Sequence, residues 1–331
     1  MKDKKNIIMI AVLVLAAAAI AAVVVLYLHL KNSGYGGENS TTEQTAPEQT
    51  TPEPTTPEET KPEIVNPDPY VQEGTAHIID ENNQVLYGWY PYSLMEQGIS
   101  GLEAAEYDEN DITEIDGTRY MRVENGDGYD YYRFEMIKWD VIEEGAAGYL
   151  LLASQAVDCV PYNDAFGNVT WEKSSLCSWM NGFFYETAFS EEEQNGIVQT
   201  ELGATRNPIY TNEAGEYLLT GEYLLTKVFL FCADELLRPD WGYDVYVQTE
   251  DTARLCTQTP FAKARGVYEY SDGYCRWWTR TNGVETIYAI YVNDNGVIAC
   301  DGIFTNSDGL GVRPVIRVSK ELIHREEKPA E

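Results

Sequence analysis

Hydrophobic and polar positions follow distinct regimes along this chain, and each regime predicts a different kind of structure. Ile7–Leu30 is a run of 24 residues without Asp, Glu, Lys or Arg. At about 1.5 Å per helical residue it reaches roughly 36 Å, enough to cross a ~30 Å hydrocarbon core with some tilt. Lys2, Lys4 and Lys5 precede it, and flanking positive charge keeps that end in the cytoplasm. The expected layout is a cytoplasmic stretch at 1–6 and a transmembrane anchor at 7–30. A cleaved signal peptide is the competing reading, but its apolar region spans about 7–15 residues and leads to a small-residue cleavage site. Here the run continues into bulky Leu26, Tyr27 and Leu28.

Residues 31–69 reverse the pattern. The segment is built from Thr, Pro, Glu, Gln and Ser, as in TTEQTAPEQTTPEPTTPEETKPE, and has almost no aliphatic side chains. Such a composition cannot bury enough apolar surface to offset the entropy of ordering it. A disordered linker is expected, and in polyproline II geometry the 38 residues Asn32–Pro69 would extend up to about 120 Å. That length suits a tether through a cell wall of Gram-positive type.

From residue 70 to 320 apolar periodicity returns, over a length sufficient for one large domain with a substantial core; a charged tail, 321–331, follows. VLYGWYPYS (Val85–Ser93) alternates and predicts a strand ending at Pro91. In Tyr131–Ile142 the residues Tyr132, Phe134 and Met136 share one parity, and Ile137, Trp139 and Val141 the other. That change of phase predicts a β-bulge near Met136-Ile137. Gly148–Ser154 is apolar throughout and reads as a central strand. Leu176, Trp179, Met180, Phe183 and Phe184 recur at helical spacing behind Ser174 or Ser175 as cap. Ser190 with Glu193 forms a capping box, with Ile197 and Val198 on the buried face of the helix it opens. Thr259 as cap, Pro260 at the first position and Gly266 as stop mark a third helix. GEYLLT at Gly215–Thr220 is repeated unchanged at Gly221–Thr226. An insertion of six residues lengthens a strand or hairpin without changing which face each side chain occupies, because the strand period is two. An extended arm for a partner is the functional reading of that repeat.

Charge narrows the partners. The formal net charge of −31 argues against nucleic acid, which requires clustered Lys and Arg, and against docking on an anionic membrane surface. Six cysteines, all in the globular part, allow up to three disulfides in an oxidising compartment. Cys159 and Cys232 lie in apolar segments and are expected as buried thiols. Cys256 and Cys275 flank the third helix and are the first candidates for a disulfide.

Catalytic constellations are scarce. His29, His77 and His324 are the three histidines and none sits in a motif, which removes the commonest base and metal ligand. No P-loop and no helix-opening G-x-G-x-x-G is present. No catalytic residue and no metal ligand is assigned, and no cofactor is expected. Calcium is a lesser option, with Asn125, Asp127 and Asp130, or Asn293, Asp294 and Asn295, as oxygen donors. It needs about 6–8 oxygens from several loops, and such Asn/Asp/Gly clusters more often make tight turns.

CRWWTRT (Cys275–Thr281), IYAIYVNDNGVIACDGIF (287–304) and GLGVRPVIRV (Gly309–Val318) together form one compact β unit. With YYRFEMIKW (Tyr131–Trp139), LLLASQAVDCVPYN (Leu150–Asn163) and WMNGFFYETAFSEEEQ (Trp179–Gln194), they resemble a family of bacterial surface domains of unknown function. That family is similar in turn to the formylglycine-generating-enzyme-like and C-type-lectin-like folds. The resemblance implies an α+β domain with mixed, mostly antiparallel sheets and a few short helices. Formylglycine-generating enzymes use two closely spaced late cysteines; here Cys256, Cys275 and Cys300 are at least 19 residues apart, and the matching pair is missing. The expected function is therefore an extracellular, membrane-anchored recognition module binding carbohydrate or protein at the cell surface. An enzyme with unidentified residues and a structural wall component are the alternatives. Trp278, Tyr288, Tyr291 and Asn293 are the expected ligand contacts, since aromatic and amide side chains concentrate there. Arg280 and Arg313 are expected to be structural.

Overall fold

The strand expected at Val85–Ser93 spans Gln84–Leu94 (β1) in the computed structural model, which describes residues 77–95, 101–126 and 128–325. The transmembrane anchor 7–30, the linker 31–69, His29, Asp127 and the end of the charged tail lie outside the described residues. Among the described residues no helix is long and apolar enough to cross a membrane. β1 continues through Pro91 because its pairing shifts between Pro91 and Ser93, so the missing N–H falls at an irregularity.

Further strands follow at Ile112–Ile115 (β2), Thr118–Glu124 (β3), Tyr129–Gly145 (β4), Gly148–Ala153 (β5) and Asp158–Cys159 (β6). The helical segment 175–188 (α1) contains a π-helical stretch, Met180–Phe184, and Glu191–Gly196 forms α2. Next come Thr200–Leu202 (β7), Thr205–Thr211 (β8), Tyr217–Thr220 (β9), Leu224–Thr226 (β10) and Val228–Phe229 (β11). Pro260–Ala264 is α3. The C-terminal unit comprises Trp277–Asn282 (β12), Tyr288–Val292 (β13), Ile298–Phe304 (β14), Gly311–Val312 (β15) and Val315–Val318 (β16). The architecture is mixed α+β, mostly antiparallel sheet with few and short helices.

β4 is the spine of a seven-stranded sheet. One edge pairs with β1; the other pairs with β3 along its first part and with β5 along its last. β5 then pairs with β16 and β16 with β11. All six residues of β5 are buried, as its unbroken apolar run predicts. The change of phase within β4 is present: Tyr132 and Phe134 are buried before it, Ile137, Trp139 and Val141 after it. The extra residue, however, lies on the partner strand. Leu86 pairs with Lys138 and Trp89 with Met136, which places the bulge at Tyr87-Gly88. Gly88 has φ +72, and a Cβ there would meet the Phe189 ring at 2.6 Å, so no other residue fits without displacement.

A second sheet runs β14-β13-β12-β15-β6. The chain crosses between the sheets at two neighbouring places, from β5 to β6 and from β15 to β16. Arg313 sits at that crossing, its Nε donating to Ala153 O at 2.8 Å and its guanidinium 5.1 Å from the Trp277 ring centre. Arg280 pairs with Glu235 at 2.5 Å and donates to Leu230 O at 2.6 Å. Both arginines tie backbone and carboxylate together inside the fold, as expected.

The capping signals hold. Ser174 Oγ accepts from Cys177 N–H, the Ser190–Glu193 capping box is complete, and Thr259 Oγ1 accepts from Ala262 N–H with Pro260 at the first position of α3. Ile197 is not part of α2; it bridges to Val318 as extended chain. Residues 321–325 also belong to the packed domain, for Ile323 is buried and His324-Arg325 pair in parallel with Ile78-Ile79.

Candidate functional site

The C-terminal unit does not present the four expected contacts as one surface. Trp277 and Trp278 alternate across β12, yet both are fully buried, because packed chain covers both faces of this strand. Trp277 Nε1 donates to Arg254 O at 3.0 Å, and Trp278 Nε1 to Val160 O at 3.1 Å with the Tyr162 ring 5.9 Å away. Trp278 is a core residue. Tyr288 is half-buried and stacks on Phe304 at 4.9 Å, while half-buried Tyr291 lies 5.6 Å from the Arg276 guanidinium. Asn293 closes the β13–β14 turn, donating its N–H to Val297 O and accepting from Gly296 N–H. Of the calcium candidates, Asp294 pairs with Arg276 at 3.3 Å, Asn295 donates to Glu250 and Asn125 donates to Asp130, while Asn293 Oδ1 is buried without a hydrogen-bond partner.

The structure carries the six cysteines as thiols. Cys159 is half-buried and Cys232 buried, and burial pushes the Cys232 thiol up to about 12. Cys256 and Cys275 are neighbours in the core: Cys275 N–H donates to Cys256 O at 2.8 Å, the Cys256 S–H donates to Thr257 O at 3.2 Å, and the two thiols are close enough to act on each other's ionisation. That contact, and burial after it, raises the Cys275 thiol; burial would also raise Cys256, but the Cys275 S–H and the nearby Arg313 charge lower it instead. The pair can close a loop of about 20 residues, worth ~3 kcal/mol by the chain-entropy model. Exposure to an oxidising disulfide would take two protons and two electrons from the pair and join the sulfurs. Mass spectrometry of the unreduced protein should find the Cys256–Cys275 peptide pair; free thiols at both positions contradict it.

Several exposed apolar side chains of the described residues come from the repeated hexapeptide. β7 pairs with β10, and beyond them β8 pairs with β9, so residues 200–226 form one interrupted hairpin arm. The first GEYLLT copy supplies the outer strand segment and the second the inner one. Gly215 and Gly221 both adopt left-handed φ, +80 and +86, the first in the turn at the tip and the second at the break between segments. Each copy then repeats the same faces. Leu218 and Leu224 turn inward and are half-buried, whereas Tyr217, Leu219, Tyr223 and Leu225 are 45, 67, 65 and 44% exposed. The even length of the duplication keeps these odd-numbered residues on the outside.

The arm is firmly anchored. Asn181 Oδ1 accepts from Thr226 Oγ1, Lys227 N–H and Val228 N–H at its base. Asn207 donates to Cys300 O, Tyr210 bonds to Asp301, and Arg206 forms a forked pair with Asp234 while lying 4.5 Å from the Tyr217 ring centre. Lys227 is engaged by Tyr185 and Gln194 O. Glu201, Glu213, Glu216 and Glu222 remain exposed along the ribbon. An exposed apolar stripe rimmed by carboxylates can take up a partner with apolar residues surrounded by cationic ones. The parity of Tyr and Leu within the repeat was the signal in the sequence for this surface; aromatic density alone pointed to the C-terminal unit.

No curated protein and no solved structure matches the chain. A family model described as a domain of unknown function, DUF6273, matches residues 147–320, from the start of β5 past the end of β16 and including the whole arm. With more than half of its length matched, the chain belongs to the DUF6273 family.

Proposed function

We propose that this protein is a membrane-anchored recognition module, held outside the cell on its 31–69 linker, that binds another protein through the hairpin arm. A lectin-like architecture is part of this reading. The observation that carries it is the stripe Tyr217, Leu219, Tyr223 and Leu225, four large apolar side chains left in solvent on an arm fixed at its base. Exposed apolar patches rimmed by polar groups mark interaction sites. Alternating leucine and tyrosine favours a protein over a carbohydrate, because leucine offers no flat face for stacking on a sugar ring and gains from burial against apolar side chains. The carboxylates beside the stripe and the chain's net charge of −31 select a cationic partner and oppose self-association.

The test uses the full-length chain on intact cells. A water-soluble carbodiimide, which joins carboxylates to ammonium groups in contact, should give a discrete cross-linked species. Leu219→Asp with Leu225→Asp should abolish that species, while Val245→Asp, at another exposed position, should leave it. Equal coupling by both variants refutes the reading.

A further inference from the structure

A cleft of about 300 Å³ lies near the capping box, lined by His77, Trp89, Arg119, Phe189, Glu192 and Glu193 among others. Its chemistry is asymmetric. Glu193 is buried and fully engaged, accepting from Gly88 N–H at 3.0 Å, His77 Nε2 at 3.2 Å and Ser190 N–H at 2.8 Å. Burial alone would raise its pKa, but these hydrogen bonds hold it below the usual carboxylate range. The carboxylate is therefore ionised and already committed to the fold. His77, which supplies one of those bonds, is held at φ +66, a costly conformation for a residue with a side chain.

Arg119 is the opposite case. It is half-buried, and one Nη donates to Thr187 O at 2.9 Å while the guanidinium lies 4.4 Å from the Phe134 ring centre. Among the described residues no carboxylate comes within 4.0 Å of its nitrogens. Glu114, opposite it on β2, and Glu193 act on its charge from beyond ion-pair distance, which leaves its remaining donors on the cleft wall open to an anion in contact. Trp89 and Phe189 supply an apolar wall, and Glu192 is exposed at the rim.

We propose that this cleft binds a small zwitterion of the α-amino acid class, its carboxylate on Arg119, its ammonium against Glu192 and its side chain along Trp89 and Phe189. A simple anion would be opposed by Glu192, Glu193 and the net charge of −31. A simple cation would meet Arg119, and a neutral molecule would leave that guanidinium without an ion-pair partner in contact. The volume is at the lower end of ligand pockets, about 300–1,000 Å³, which limits the ligand to this size class. The site is independent of the hairpin arm.

Titration calorimetry on the full-length chain in lipid nanodiscs tests this with three probes: phenylalanine, phenethylamine without the carboxylate, and 3-phenylpropionate without the ammonium. Phenylalanine should bind at least about tenfold more tightly than either analogue, one such factor corresponding to 1.4 kcal/mol. Arg119→Met should abolish binding and Arg119→Lys should retain part of it. Glu192→Gln, at an exposed position that leaves the fold unchanged, should reduce phenylalanine to the level of 3-phenylpropionate without weakening 3-phenylpropionate. The proposal is overturned if phenylalanine gives no saturable heat at about 10 mM, far above ordinary ligand affinities. It is equally overturned if the three probes bind alike, or if Glu192→Gln leaves their order unchanged.

Discussion

Arg254→Met should lower the melting temperature of the domain by at least about 10 °C. Arg254 is fully buried, and its guanidinium serves as an internal cross-link between loops. It donates to Leu236 O at 2.9 Å, Tyr246 O at 3.2 Å, Gly296 O at 3.3 Å and Asp244 O, and pairs with Asp251 at 3.2 Å. Its own carbonyl accepts from Trp277 Nε1. Methionine fills much of the same volume but leaves these carbonyls without a donor and nearly buried Asp251 without its cation, holding only the Asp244 and Ala253 N–H groups. Removing one member of a buried ion pair costs about 3–5 kcal/mol, and each orphaned buried acceptor adds about 1–3 kcal/mol before relaxation. For a domain of this size each kcal/mol is worth roughly 2–4 °C. Thermal unfolding followed by circular dichroism measures the effect; a shift under about 3 °C would show that the carbonyl cage is satisfied by water instead.

Deleting one copy of GEYLLT should abolish partner binding while leaving the domain folded. The copies are identical, so removing 215–220 or 221–226 gives the same protein. Six residues is an even number, so the remaining copy can take the inner place, with its first Leu opposite Leu202 and its Thr hydroxyl on Asn181. The anchoring bonds at the base are retained and the melting temperature should move by no more than about 3 °C, the equivalent of roughly 1 kcal/mol. The outer β8–β9 pairing is lost, and with it half of the exposed stripe. Binding surfaces concentrate their energy in a few apolar anchors at ~2 kcal/mol or more each, so losing Tyr217 and Leu219 together should weaken association at least about a hundredfold. The carbodiimide-linked species should disappear from cells carrying this variant. Its persistence would place the contact outside the arm.

Local features of this fold were legible in the sequence because their causes are local. Ser190 with Glu193, and Thr259 with Pro260, announce helix starts through side chains that satisfy backbone donors only a few residues away. The unbroken apolar run Leu150–Ala153, following a Gly-Ala-Ala-Gly connection, reads as a strand covered on both faces. The phase change in β4 was visible, but not which strand carries the extra residue, since a bulge on either partner shifts the pairing alike. What escaped was long-range. His77 meets Glu193 across 116 positions, and no spacing rule connects them. Trp278 looked like a surface candidate because alternation says which face a residue takes, not whether that face is covered. Arg254 carries no signal in the sequence, although the backbone of several loops converges on it. The exposed stripe was half-legible: the even-length repeat preserved its parity, but only the folded arm shows that those odd positions face solvent.

Site-specific photo-cross-linking on intact cells distinguishes the outer face of the arm from its inner face as the binding surface. A photoreactive phenylalanine derivative is placed singly at 218, 219, 224 or 225 of the full-length chain. Neighbouring positions share the same local sequence and differ only in face, 219 and 225 outward, 218 and 224 inward. A cross-linked partner is expected from 219 and 225, and none from 218 and 224. Cross-linking with the opposite parity, or equally from all four positions, would contradict recognition through the outer face of the arm.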